Sequence, residues 1–432
     1  MRVLVTGGYG LIGSACLARL HRDRHALIGA GRSIDEARRR FPYTHWLAAD
    51  FGRLTSATAW RPLLADVDAV VNCVGVLQDG ARDDTRRVHV EATAALFETC
   101  AQAGVRRVVH LSSIGAEPGG PTEFSRSKAE AEAHLATLDL DWVILRPALV
   151  LAPAVHGGSA MLRGLAGLPW VAPVIGGESG IQIVSVEDVA ETVALSLAPG
   201  APAKVRWELA HPRMHTLAGI VAAFRGWLGL PPQRPIRVPR VLEKAVSTTA
   251  DALGWLGWRS AAHSTAFAQL AAGIVGDAAP WMAATGIRPK SLEDILAARP
   301  ASVQDRWYAR LYLLKPLAIA ALALFWIATG VIALGPGRAA ALAQLAEAGL
   351  DGALADVVLV GSAVFDIVLG SLLLVCRAAR TVLLVTLAVL PIYLLVGTAL
   401  ASQLWIDPLG PFIKVVPLAV ATLFTLALLD ER

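Results

Sequence analysis

Histidine ends at His263, and the 169 residues after it hold a single cysteine, Cys376. That stretch therefore lacks the His or multiple-Cys ligands of ordinary haem and iron–sulfur sites. The whole chain has four cysteines, Cys16, Cys73, Cys100 and Cys376, with no CxxC pair. This predicts reduced thiols and no metal site. Charge is also scarce, at 17% of residues against about 25% in typical soluble domains. The shortage is local: residues 1–310 carry 33 Lys/Arg and 28 Asp/Glu, residues 311–432 only 6 and 7. The net charge of +4 is too mild to indicate nucleic acid, and a surface facing a membrane accounts for it. What is abundant is apolar: 55% hydrophobic residues and a mean hydropathy of +0.54. Disorder is excluded. At 432 residues the chain has room for two or three domains of roughly 150 residues each, with a globular part first and a membrane part last.

The chain opens with a short β-branched run, Arg2 to Thr6, followed by Gly7-Gly8-Tyr9-Gly10-Leu11-Ile12-Gly13 and a helical stretch from Ser14 to Leu20. Strand, glycine turn and helix form the context that gives a G-x-x-G-x-x-G pattern meaning. Gly7 permits the tight turn, Gly10 lets backbone approach a pyrophosphate, and Gly13 lets the helix pack close. The helix start then offers free N–H groups and a positive dipole to phosphate. The run is too short for a signal peptide, so this part is expected in the cytoplasm. A dinucleotide site for NAD usually has an acid about 20 residues on, for the ribose 2′-hydroxyl. No acid occupies residues 26–34; Arg32 does. A guanidinium suits a 2′-phosphate, which favours NADP(H) over NAD(H).

The alternation continues. Trp46 to Ala49 leads to Asp50-Phe51, whose carboxylate is suited to the adenine amine. Ala69 to Asn72 leads to Cys73-Val74-Gly75, small residues suited to cofactor contact. Val108 to Leu111 ends in Ser112-Ser113, and Trp142 to Leu145 precedes Arg146-Pro147. Strands separated by helices of 10–18 residues predict an α/β fold with a doubly wound parallel sheet. Ligands bind at the carboxyl ends of such strands, which is where Asp50, Gly75, Ser112 and Pro147 fall.

On these residues the chain resembles the short-chain dehydrogenase/reductase superfamily, in its extended or atypical branch. Thr6 to Gly13 match the TGGxGxIG fingerprint. Asp50-Phe51 is similar to the adenine-contact pair, and Leu111-Ser112-Ser113 to the serine strand. The resemblance implies a Rossmann domain over about residues 1–235. It also implies a Tyr-x-x-x-Lys pair, in which the tyrosine moves the proton and the lysine lowers its pKa and holds the nicotinamide ribose. Here the pair reads Phe124-Ser125-Arg126-Ser127-Lys128. The lysine is kept, but Phe124 cannot transfer a proton. By resemblance Lys128 and Ser113 are the candidate catalytic residues. Lys128 is also a candidate cofactor ligand, with Gly7, Tyr9, Gly10, Leu11, Ile12, Gly13, Arg32, Asp50, Phe51, Cys73, Val74, Gly75, Ser112 and Pro147.

Past Val174-Ile175-Gly176-Gly177, Ser185 and Asp188 resemble a capping box in a segment that borders the substrate cleft in extended members; a plain helix start reads equally well. Prolines 231, 232, 235 and 239 mark a boundary. Residues 236–305 read as an amphipathic helical connector with Trp255, Trp258 and Trp281. It fits the bilayer surface, where Trp is enriched, or packing against the first domain.

Residues 306–432 hold four apolar stretches, about 311–334, 354–375, 382–404 and 409–429. Each is long enough for one helical span of ~30 Å. Short connections favour a four-helix transmembrane bundle, and Arg338 to Leu350 predicts a helix along the outer interface. Arg306, Arg310 and Lys315 flank the first span, and Arg377 and Arg380 separate the second from the third. The positive-inside rule then puts both termini in the cytoplasm, in a multi-pass inner-membrane protein. Asp366-Ile367-Val368-Leu369-Gly370 and the overall layout resemble the DoxX-like proteins. Asp366, near mid-span, costs ~2.5–3.5 kcal/mol to insert if charged. It is expected to face the bundle interior, as a relay or ligand contact or as a hydrogen bond between helices.

Two readings of function follow. One is a membrane-anchored NADP(H)-dependent oxidoreductase, passing hydride to a lipophilic acceptor such as a quinone. The other is a non-catalytic NADP(H)-binding sensor or an accessory protein of a membrane complex, as in the relatives of this superfamily that lack the tyrosine. The lipid bilayer is a partner in both.

Overall fold

The structure, a computed structural model, describes every residue except 82, 155–156, 175–178, 259, 409 and 430–432. Ile175, Gly176 and Gly177, and the first residue of the fourth apolar stretch, lie outside the described residues. The chain divides into two units: Met1–Gly254 with Arg259–Ala309, and Trp255–Trp258 with Arg310–Arg432.

The first unit is built on a seven-stranded, wholly parallel sheet. Its strands are β1 (Arg2–Thr6), β2 (Ala26–Gly31), β3 (His45–Ala48), β4 (Ala69–Asn72), β5 (Arg107–Leu111), β6 (Asp141–Pro147) and, after three strands outside the sheet, β10 (Val205–Leu209). Their order is β10-β6-β5-β4-β1-β2-β3, so the chain reverses direction across the sheet between β1 and β4. The three outside are β7 (Leu149–Leu151), β8 (Ala172–Val174) and β9 (Ile183–Ser185). β7 pairs with β9, and β8 with β11 (Pro235–Arg237). This is the doubly wound α/β fold that the alternating pattern predicts.

Alternation within the strands divides the core. Val3, Val5, Val71, Val109, Val143 and Leu145 face one layer. It includes Leu17 and Leu20 of α1 (Leu11–Arg22). Leu4, Val70, Val108 and Ile144 face the other, against Leu96, Phe97 and Cys100 of α2 (Thr93–Ala103) and Leu135 of α3 (Glu123–Thr137). Strands covered on both faces read as unbroken apolar runs, which is why these were conspicuous in sequence.

The stretch after the prolines belongs largely to this unit. Trp281 is fully buried, and its Nε1 donates to Thr192 Oγ1 at 3.0 Å. Residues 259–309 thus pack against the parallel-sheet domain. Helix α4 (Arg240–Trp255) packs through Ser247 and Ala250, while Val241, Leu242 and Val246 stay exposed.

Among the described residues the second unit has three helices long and apolar enough to cross a membrane: α5 (Leu314–Leu334), α6 (Gly352–Leu373) and α7 (Cys376–Leu400). Helix α7 starts six residues before the expected 382, because only Leu374 and Val375 separate it from α6. The fourth expected span differs more. Its helix α8 (Val415–Ala427) has 13 residues, about 20 Å at 1.5 Å per residue, short of a full crossing. Pro408 and Pro411 flank Gly410 at a positive φ of 56°; proline supplies no N–H, so the helix starts only beyond them. The expected helix between the first two spans forms at Arg338–Glu347. Helices α5 and α6 run antiparallel at close range through small residues. A Cβ on Gly370 would lie 2.6 Å from the Ala323 carbonyl, and one on Gly330 would collide with that of Ala363. Asp366 is buried between helices at 5% exposure, and the Tyr393 hydroxyl donates to it at 3.5 Å.

Candidate functional site

The glycine turn follows β1 at the point where the sheet order reverses. Gly7 has φ +64°, a region costly for any residue with a Cβ, and its N–H donates to Ala30 O at 2.9 Å. Gly10 is the residue before α1, extended and without a capping side chain, and the first turn of α1 holds no acid. Leu11, Ile12 and Gly13 form that turn, with their N–H groups unclaimed by any cap. A Cβ on Gly13 would collide with the Gly7 carbonyl, so the helix can lie this close to the turn only with glycine there. An uncapped helix start framed by such a turn is a ready receptor for a pyrophosphate.

Tyr9 has a job the pattern did not disclose. Its hydroxyl accepts from the N–H groups of Arg32 (3.1 Å) and Ser33 (3.4 Å), and its ring lies where a Cβ on Gly31 would be. It pins the end of β2, next to Arg32. Arg32 pairs with Asp83 at 2.7 Å. Asp50 pairs with Arg53 at 3.5 Å and keeps a side chain 44% exposed. Phe51 turns inward, 5% exposed, edge-on to Trp60 at 4.9 Å; it is a core residue under the expected adenine position.

Across the crevice, Cys73, Val74 and Gly75 follow β4. The Cys16 thiol beneath is pushed up in pKa by its hydrogen bond to Cys73 and by burial, which leaves it unreactive. Gly75 faces Lys128 Nζ and His89 Nε2, at 3.6 and 3.7 Å from its Cβ position. Lys128, on α3, is 3% exposed. Its ammonium donates to Leu111 O at 2.8 Å and to Val74 O at 3.4 Å. Burial pushes its pKa down to about 8, against the pull of Glu132 one turn further on. The hydroxyls of Ser112 and Ser113, at the end of β5, are buried with no hydrogen-bond partner among the described residues. Buried hydroxyls without partners are costly, so these two are places where a ligand would bond. Pro147 ends β6, its carbonyl accepting from Ile114 N at 3.2 Å.

Several residues that shape the site were not marked by sequence reasoning. Asn72 joins the two central strands: its Oδ1 accepts from Thr6 Oγ1 (2.7 Å) and Val74 N (3.3 Å), and its Nδ2 donates to His110 Nδ1 at 3.2 Å. A polar residue within a fully buried strand was the available signal. His89 Nε2 accepts from Val76 N at 2.9 Å, and its Nδ1 lies 2.9 Å from Ser127 Oγ. Burial holds the pKa of both histidines well down, so they are neutral fixtures. Phe124 meets His89 edge-on at 5.6 Å, in the place of the missing tyrosine. Glu132 accepts from Arg146 Nη2 (2.8 Å) and Arg206 Nε (2.8 Å), tying the Lys128 helix to the sheet. Gln269 reaches over from the later helix Ser264–Ala272 to Thr122 Oγ1 at 2.6 Å and to Ser125 Oγ. Asp251 of α4 accepts from Gln78 at 2.7 Å. The stretch read as a connector thus borders the β4 and β5 side of the crevice.

Residues 7–198 match the NAD(P)H-binding family, and residues 323–423 the DoxX-like family. Sterol demethylase protein B of Methylococcus capsulatus is 31% identical over 35% of this chain and 52% of its own length. The mitochondrial NADH-ubiquinone oxidoreductase 40 kDa subunit of Neurospora crassa is 25% identical over 44% of this chain and 49% of its own. The chain spans about half the length of these curated relatives, and only 17% of that of the Mycobacterium tuberculosis protein it matches at 29% identity. Among solved structures, dTDP-glucose 4,6-dehydratase of Bacillus anthracis, in complex with NAD, superposes with a TM-score of 0.54 at 16% identity, over 73% of this chain and 99% of its own. That likeness is one of fold. The glycine turn, the uncapped helix start and the two partnerless serine hydroxyls are a donor set that fits a dinucleotide.

Proposed function

We propose that this chain, an NAD(P)-binding Rossmann domain joined to a DoxX-like membrane domain, is an NADP(H)-dependent oxidoreductase that reduces a lipophilic acceptor of the quinone class. The observation that carries the reading is the pairing of a buried Lys128 with an unionisable Phe124. The cofactor side of the site is kept, and the proton donor of a carbonyl reductase is not. An acceptor whose reduced oxygens take protons from water needs no tyrosine. The bound cofactor supplies hydride. The chain holds the pyrophosphate on Gly10 to Gly13, offers Lys128 to the nicotinamide ribose hydroxyls, and presents Ser112 and Ser113 to the reacting end. Arg32 favours NADP(H) over NAD(H), since a guanidinium pairs well with a 2′-phosphate, once it exchanges Asp83 for that group.

The site belongs on the cytoplasmic side of the inner membrane, with both termini inside; α8 and the turns before it complete the fourth crossing. The support is the cluster Arg306, Arg310 and Lys315 around the start of α5, and Arg377 and Arg380 at the start of α7.

A second reading has its own support. Phe124 equally suits a chain that binds NADP(H) as a sensor or as an accessory subunit of a membrane complex. One experiment separates them. Chain in lipid nanodiscs is titrated with NADPH, by energy transfer from tryptophan, and then given a short-chain quinone. Oxidation of NADPH that requires quinone supports the enzyme. Tight binding without turnover with any quinone favours the sensor, and no binding refutes both.

A further inference from the structure

Helix α4 is amphipathic in the wrong sense for a water-facing helix. Its small and polar residues, Ser247, Ala250 and Asp251, face the first unit. Its larger apolar residues face out: Val241 is 79% exposed, Leu242 55% and Val246 48%. They do not stand alone. β11 pairs with β8, Ile236 against Pro173, which sets Trp170 and Val171, just before β8, beside the residues that lead into β11 and the helix. Trp170 is 86% exposed and Ile236 50%. Single exposed apolar residues are ordinary, but several gathered on one ribbon and the helix that follows it mark an interaction site. Around it stand Arg234, Arg237, Arg240 and Lys244, all exposed, with Glu243 the one acid between residues 234 and 244.

We infer that this patch docks on the surface of an anionic phospholipid bilayer. Tryptophan and branched aliphatics rimmed by cations are the make-up of an in-plane membrane contact, and each Lys or Arg near an anionic leaflet adds attraction. Chain continuity names the occupant. Helix α4 ends at Trp255, the first residue of the second unit. There Leu256 O accepts from Cys376 N at 3.0 Å, and Trp258 Nε1 donates to Leu374 O at 2.6 Å, at the turn between two spans. Leu242 is 13 residues from that anchor, about 20 Å along a helix, so the patch has a bilayer surface within reach. The inference does not depend on the oxidoreductase reading, since it concerns where the first unit rests and not what it reduces.

The test uses the full chain in nanodiscs of phosphatidylcholine, with or without phosphatidylglycerol. Hydrogen exchange of residues 234–246 should slow about tenfold when the anionic lipid is present. The double variant Arg240→Glu/Lys244→Glu should lose that slowing, with an unchanged unfolding midpoint. Lipids brominated in their acyl chains should quench part of the tryptophan emission, that of the spans included, and Trp170→Phe should make the quenched part smaller. Equal exchange in both lipids, or quenching indifferent to Trp170→Phe, overturns the inference. Protection that follows the number of chains per disc overturns it in favour of a second copy as the occupant.

Discussion

Substituting Gly13 by alanine tests the crevice at its tightest point. The added Cβ would collide with the Gly7 carbonyl oxygen and lie 2.9 Å from Gly7 C and from Gly8 Cα. All three atoms are backbone, so no side chain can swing aside. Either α1 shifts along the sheet or the turn that carries Gly7 and Gly10 moves outward. Overpacking of this sort costs about 1–3 kcal/mol. It falls on the loop that must meet the pyrophosphate, and each 1.4 kcal/mol is about tenfold in affinity. NADPH binding to Gly13→Ala should therefore weaken by about 10- to 100-fold, with a lower unfolding midpoint. Gly226 supplies the control: it lies in the helix Leu217–Trp227 with nothing within 4 Å of a Cβ. Gly226→Ala should leave binding alone and gain up to about 1 kcal/mol from helix propensity. Energy transfer from tryptophan reads the affinity, and thermal unfolding in detergent reads the stability. If Gly13→Ala binds NADPH within twofold of the parent and melts at the same temperature, the close-packing argument is wrong.

Arg32→Asp should lower the NADPH-to-NADH affinity ratio by about tenfold or more; an unaltered ratio would remove Arg32 from cofactor choice. Lys128 has a folded pKa of about 8, below its ordinary 10.5. The unfolded chain therefore holds more protons between those values, and stability should rise as pH climbs from 8 to 10.5, by about 3 kcal/mol. The gain is complete above 10.5 and gone below 8, and Lys128→Met should lack it; parallel pH profiles for the two chains would contradict the burial account. Phe124→Tyr should make NADPH-dependent reduction of simple carbonyls measurable, and no gain would mean that the pocket beyond Phe124 has been reshaped as well. Gly330→Val should separate α5 from α6, cost about 1–3 kcal/mol of stability and so lower the unfolding midpoint, whereas an unchanged midpoint would show that the two helices tolerate a wider gap.

The sheet was legible because its code is local. Buried parallel strands announce themselves as apolar runs, and the glycine turn is contiguous from Gly7 to Gly13. Lys128 could be found by resemblance, four residues after Phe124. The links that span distance were not legible. Nothing near His89 points to Ser127, 38 residues away, nor does Gln269 advertise a bond to Thr122. Phe51 shows the opposite difficulty: the motif names it a cofactor contact, while Trp60, nine residues on, draws it into the core. Hydropathy also overran the fourth span. Residues 409–429 are apolar enough, but helix formation depends on backbone N–H groups, and Pro408 and Pro411 delay it to Val415.

Asn72 carries a consequence for binding rates. Where the order of a parallel sheet reverses, the connections that leave the two central strands run in opposite directions, and the crevice between them could open and close around its ligand. Here one carboxamide stitches β1 to β4 at the very edge of the gap, and His110 braces it from β5. The floor of the groove is finished before a dinucleotide arrives, so its ordering cost belongs to folding and not to association, and only the exchange of Asp83 by Arg32 is left to binding. Capture of a nucleotide without the 2′-phosphate, which asks for no such exchange, should then be a single-step encounter, with an observed rate that climbs in proportion to its concentration and shows no plateau.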